Sequence, residues 1–106
     1  FRFLCENKVT ELHYGDCVGW DLQSFNMCSN YGIKTISHPP IDGKLRAFTN
    51  PVVELPARQY LERNKDIVKA CEFLIAAPDG PEVARSGTWS TVRYAKNLGV
   101  NGVVCL

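Results

Sequence analysis

The sequence predicts an α/β domain, an open parallel sheet of about four strands with helices on both faces. Three observations predict it. Apolar runs of strand length alternate with segments of helical periodicity from Val9 to Cys105, the pattern of βαβ units. Phe73-Leu74-Ile75-Ala76-Ala77 is apolar throughout, as a strand is when helices cover both of its faces. The segments after successive strands are polar and bear glycine or proline, as befits the strand ends where such sheets bind ligands.

The elements follow in order. Phe1, Leu4 and Cys5 share one helical face and Asn7 stops it. Val9–Tyr14 reads as a short strand, and Gly15-Asp16-Cys17-Val18-Gly19 as a tight turn. Leu22, Phe25 and Cys28 then recur every three residues on a helix ending at Tyr31-Gly32. Ile33–Ser37 is the next strand, stopped by His38-Pro39-Pro40 because neither proline can donate to a ladder. Residues 39–57 carry Pro39, Pro40, Pro51 and Pro56 with little periodicity, and are expected to be an irregular, lid-like excursion. Leu61, Ile67, Val68 and Cys71 mark a helix over Arg58–Cys71. After the strand Phe73–Ala77, Asp79-Gly80-Pro81 turns the chain. Ser86 or Thr88 caps a helix bearing Val92, Ala95 and Leu98, Gly99 ends it, and Val103-Val104-Cys105 is a last strand.

The chain starts inside what reads as the first crossover helix of a doubly wound sheet. In the order 3-2-1-4-5 the strand before that helix is central. Its absence is expected to leave Thr10–Tyr14 or Phe73–Ala77 with an unpaired edge, which invites another chain. The expectation is a homo-oligomer, most simply a two-fold dimer.

With 106 residues the chain makes one domain, 1–106. Twelve basic and eleven acidic residues give a net charge of +1 without long runs of one sign. That argues against a nucleic-acid stripe or a polybasic membrane arm. No apolar stretch nears a membrane span and no leader pattern opens the chain, so a cytoplasmic protein is expected. Cys5, Cys17, Cys28, Cys71 and Cys105 are odd in number and widely spaced, without Cys-x-x-Cys. They read as reduced thiols, with neither a metal site nor a cofactor expected.

The candidate chemistry lies in three loops. Arg85-Ser86-Gly87-Thr88-Trp89-Ser90-Thr91-Val92-Arg93 opens a helix. Free backbone amides there favour an anion, glycine permits its approach, and Arg85 and Arg93 would clamp it. Trp89 would stack on a base or cover the core. The plainer alternative makes Ser86 and Thr88 caps and leaves both arginines in solvent. In Gly15–Asp21, Asp16 and Asp21 suit acid–base work or sugar hydroxyls, or else Asp21 caps the helix and Asp16 holds the turn. Trp20 is a second stacking candidate. His38 is a proton carrier or an ordinary loop histidine, and Asp79 and Arg46 complete the acid–base and anion-clamp candidates. His13, inside a strand, reads as structural, whereas Arg63 and Asn64 lie on a helix expected to line the same crevice or form a solvated face.

Together, Gly15–Asp21, His38-Pro39-Pro40, Leu45-Arg46-Ala47, Tyr60–Val68, Leu74–Pro78 and Arg85–Ala95 resemble the SLOG superfamily. That superfamily includes the Rossmann-like domain of DNA-processing protein A and the Lonely Guy phosphoribohydrolases. The resemblance spans residues 9–105. It implies a Rossmann-like domain that binds a nucleotide or nucleotide-derived ligand, with Gly15, Gly19, Gly87 and Thr88 at the phosphate and ribose crevice. Thr91 stands where the phosphoribohydrolase pattern has its catalytic glutamate, so that mechanism is not carried over. The expected function is binding of a phosphate-bearing ligand with hydrolysis of a phosphoester or N-glycosidic bond. The alternatives are a non-catalytic nucleotide sensor, and a descendant with an esterase-type site at a subunit interface. Single-stranded DNA binding is not expected from the charge.

Overall fold

The computed structural model describes residues 8–76, 87–100 and, as backbone, 102–105. The expected helix at 1–7 and the turn through Asp79 lie outside the described residues. Within them run β1 (Glu11–Tyr14), α1 (Trp20–Asn30), β2 (Lys34–Ser37), β3 (Val53–Glu54), α2 (Tyr60–Ala70), β4 (Phe73–Ala76), α3 (Gly87–Leu98) and β5 (Gly102–Cys105).

Every strand pairing among them is parallel. Glu11 to Tyr14 face Lys34 to Ser37, Ile36 and Ser37 face Val53 and Glu54, and Phe73 to Ala76 face Gly102 to Cys105. The class is therefore α/β. Instead of one four-stranded sheet, the strands form two ladders, β1-β2-β3 and β4-β5. On their far sides β1 and β4 have no ladder partner among the described residues. Helix α2 joins the halves by side-chain packing, touching β1 and lying against α3.

A second difference is β3, inside the excursion expected to be irregular. The outer edge of β2 supplies its reason: the Val52 amide donates to Thr35 Oγ1 at 3.1 Å and the Leu55 amide to the Ser37 carbonyl at 3.0 Å. Backbone donors brought beside a strand edge take its acceptors, because an unpaired buried donor is costly.

Glycines set two of the helix ends. Gly32 at φ 72° closes α1, with the Ile33 amide on the Cys28 carbonyl at 2.9 Å. Gly99 at φ 84° closes α3, with the Val100 amide on the Ala95 carbonyl at 3.0 Å. This left-handed exit suits glycine, which has no Cβ to clash. Val68, Leu74, Ala76, Val92 and Ala95 form the core between α2, α3 and β4, with Trp89, Tyr94 and Val100 packed on it. On the other ladder Tyr14 and Ile36 are buried together with Cys28 of α1, and the Tyr14 and Phe25 rings lie 5.6 Å apart. Cys28 is a buried free thiol as its periodicity predicts, while Cys71 is half-buried, and the Cys105 side chain lies outside the described residues. No helix among the described residues is long and apolar enough to cross a membrane.

Candidate site at the carboxyl ends of β1 and β2

Parallel pairing places the ends of β1 and β2 side by side, so the loops that leave them must share space. The His38 amide donates to the Tyr14 carbonyl at 2.8 Å, the Val18 amide to the Leu45 carbonyl at 2.9 Å, and the Ala47 amide to the Asp16 carbonyl at 2.8 Å. These bonds bring Gly15, Asp16, Asp21, His38 and Arg46 together, as the loop positions predict. Their roles differ from one another.

Asp16 is fully buried. Its Oδ2 accepts from Arg46 Nε at 2.9 Å, and its Oδ1 accepts from the Thr49 amide at 3.1 Å and the Thr49 hydroxyl at 2.5 Å. Tyr14 Oη lies 2.6 Å from Thr49 Oγ1, and Arg46 Nη2 donates to Glu54 at 2.6 Å. The acid–base reading of Asp16 and the anion-clamp reading of Arg46 therefore meet a physical obstacle. Each group already holds the other, and together they pin the 39–57 excursion onto the end of β1. Asp16 sits at φ 57°, a left-handed geometry that aspartate tolerates better than most residues.

Gly15 has a close approach, but to the protein itself. A Cβ there would lie 1.6 Å from Arg63 Nη1, because that guanidinium donates to the Gly15 carbonyl at 2.6 Å. Arg63 comes from the first turns of α2 and is only 5% exposed. Its Nη1 and Nη2 also lie 3.9 and 3.8 Å from Cys17 Sγ, and Tyr60 stacks beneath it at 5.2 Å. Its Nε is buried without a hydrogen-bond partner. Such orphaned donors are rare in folded proteins, and each calls for a reason.

Asp21 stands in the first turn of α1, where its Oδ2 accepts the Cys17 amide at 3.1 Å. Burial pushes its carboxyl pKa up, against the lowering effect of that bond and of Arg63. Burial likewise raises the Cys17 thiol, with Arg63 opposing. His38 is buried, and its pKa falls to about 4, first through burial, then through His13. At neutral pH it is an uncharged imidazole.

His38 and Arg63 border a cavity of about 260 Å³ completed by Leu55, Pro56, Arg58 and Asp66. Arg58 is engaged there by Asp66, its Nη1 donating to the carboxylate at 2.8 and 2.6 Å, and Glu62 lies 3.6 Å from its Nη2. Sequence reasoning overlooked Arg58 and Asp66. Their signal was the i, i+4, i+8 spacing of Arg58, Glu62 and Asp66, which puts a cation and two anions on one face of the expected helix. A larger hollow of about 410 Å³, lined by Val68, Cys71, Phe73 and Val100 among others, lies at the opposite, amino end of β4. Among the described residues no cluster of His, Cys, Asp and Glu is arranged to hold a metal ion.

The remaining candidates stand apart. Gly19 precedes α1 at φ 89° with open space where a Cβ would lie, and Trp20 is the first helical residue, partly exposed. Gly87 and Thr88 are exposed in the first turn of α3. Trp89 packs on the core cluster, the covering role rather than the stacking one. Thr91 Oγ1 donates to the Gly87 carbonyl at 2.9 Å, back-bonding its own helix, and Arg93 is half-buried on α3. Arg85, Ser86 and Asp79 lie outside the described residues. No protein-family model, curated protein or solved structure matches the chain.

Proposed function

We propose that the protein binds a small phosphate-bearing ligand, a nucleotide or a fragment of one, in the cavity beside the carboxyl ends of β1 and β2. The observation that carries this reading is Arg63, a buried guanidinium whose Nε has no partner and which borders that cavity. An arginine guanidinium is suited to phosphate oxygens, and the Arg63 side chain lines the cavity. The cavity is smaller than the roughly 300–1,000 Å³ of usual ligand clefts. It suits a phosphorylated sugar, with the remainder of a nucleotide outside. The resemblance to the SLOG superfamily supports the same ligand class and a Rossmann-like domain.

Hydrolysis of a phosphoester in this cavity would draw on anion stabilisation by Arg63 and on His38 or Asp21 for the proton. A second reading, a binding module without turnover, is favoured by one observation: Asp16 and Arg46 hold one another. Calorimetric titration with inorganic phosphate, ribose 5-phosphate and nucleoside monophosphates tests binding, and phosphate release from the two kinds of phosphate ester tests turnover. Binding that falls at least tenfold in Arg63→Met, with Arg63→Lys intermediate, is expected. Equal affinity in wild type and Arg63→Met overturns the site, and binding without phosphate release selects the second reading.

A further inference from the structure

We propose that Glu11 and His13 are positioning residues that set the tautomer of His38, making its Nδ1 the hydrogen-bond acceptor of the cavity, and that the ligand therefore carries a hydroxyl group beside its phosphate. The ligand-class half of this inference rests on the phosphate-binding reading above; the tautomer half stands without it.

The geometry is a chain of three side chains. Glu11 Oε1 lies 3.1 Å from His13 Nε2, and His13 Nδ1 lies 2.9 Å from His38 Nε2. The Glu11 carboxylate only accepts, so His13 carries its proton on Nε2. A neutral imidazole has one N–H, and His13 Nδ1 is then an acceptor. His38 must donate to it from Nε2, which leaves His38 Nδ1 as the bare nitrogen. Sequence reasoning had taken His13 as structural. Its strand position i, i+2 from Glu11 puts both on one face of β1, and parallel pairing with β2 brings that face to His38 across the ladder.

The surroundings keep His38 neutral. Its burial, first of all, and the Arg63 guanidinium oppose a positive charge on it, and Asp66 favours one. Glu11 faces the far side of His13 from β1, and Arg58 borders the cavity with Arg63. An uncharged acceptor beside two guanidinium groups discriminates between ligands. Arg63 takes the phosphate oxygens, and the lone pair takes a donor that the phosphate group of a monoester dianion lacks. A sugar hydroxyl supplies it, and leaving a buried acceptor unmatched costs affinity.

The test is nitrogen NMR of protein labelled with ¹⁵N-histidine, at pH 7, in wild type, Glu11→Met and His13→Phe. Glu11 is exposed, so its replacement leaves a folded protein against which His13→Phe is read. Wild-type His38 is expected with the proton on Nε2, and both variants are expected to shift it toward a mixture of tautomers. A proton on Nδ1 in wild type, or a His38 tautomer unchanged by Glu11→Met, overturns the positioning role. Titration with ribose 5-phosphate and methyl phosphate, which has no hydroxyl, follows in the same samples. A tenfold preference for the sugar phosphate that shrinks in His13→Phe is expected. Equal affinities overturn the hydroxyl requirement alone, whereas binding of neither compound overturns the phosphate reading and leaves the tautomer result standing.

Discussion

Replacing Asp16 by asparagine separates structure from chemistry at the candidate site. Asparagine keeps the shape and tolerates the left-handed backbone at φ 57°, so the change isolates the charge. The carboxylate is fully buried and Arg46 is 18% exposed, and removing one partner of such a pair typically costs about 3–5 kcal/mol. Glu54 still engages Arg46 at 2.6 Å, which places the expected loss at the lower end, about 3 kcal/mol. With a urea slope of roughly 1–3 kcal/mol per molar for small domains, the midpoint should fall by roughly 1–3 M. Urea denaturation followed by tryptophan fluorescence measures it, and the double variant Asp16→Asn/Arg46→Met should lose much less than the sum of its parts. A cost below about 0.5 kcal/mol would refute the structural role of the pair. An unchanged midpoint combined with lost phosphate binding would return Asp16 to the ligand-handling residues.

Further outcomes follow from the same geometry. In Gly15→Ala the new Cβ competes with Arg63 Nη1 at 1.6 Å; the guanidinium must leave its charged hydrogen bond, at a cost of about 1.5–3 kcal/mol. Thermal denaturation and phosphate titration should both register that loss. His38, with its pKa depressed from 6.5 to about 4, makes folding pH-dependent. The unfolded chain binds the proton more readily, so stability is full above pH 6.5 and is lost as pH falls through 4. The difference is about 3 kcal/mol, read as the change in urea midpoint between pH 7 and 4, and His38→Gln should remove that part of the slope. The sides of β1 and β4 without a ladder partner among the described residues predict self-association; light scattering across a dilution series should show a dimer, and a monomer at all concentrations would count against it.

What the sequence by itself determined is local. Gly32 and Gly99 end helices because a left-handed exit needs no Cβ. The apolar run at Phe73–Ala76 is a strand, and the alternation of periods dictates parallel pairing. It also placed the loops after β1 and β2 at the strand ends, since that follows from direction alone, while the third candidate loop lies almost wholly outside the described residues. What only the tertiary structure decided is partnership. Asp16 finds Arg46 thirty residues away, Gly15 finds Arg63 forty-eight away, and His13 finds His38 twenty-five away. Nothing local marks these pairs, because a charge or an imidazole has the same propensity whether it meets water, a ligand or another side chain. Whether Gly15 admits a phosphate or a guanidinium, and whether Asp16 is an acid or a brace, depends on which distant group occupies the space, and that follows from how α2 and the excursion pack across the end of β1.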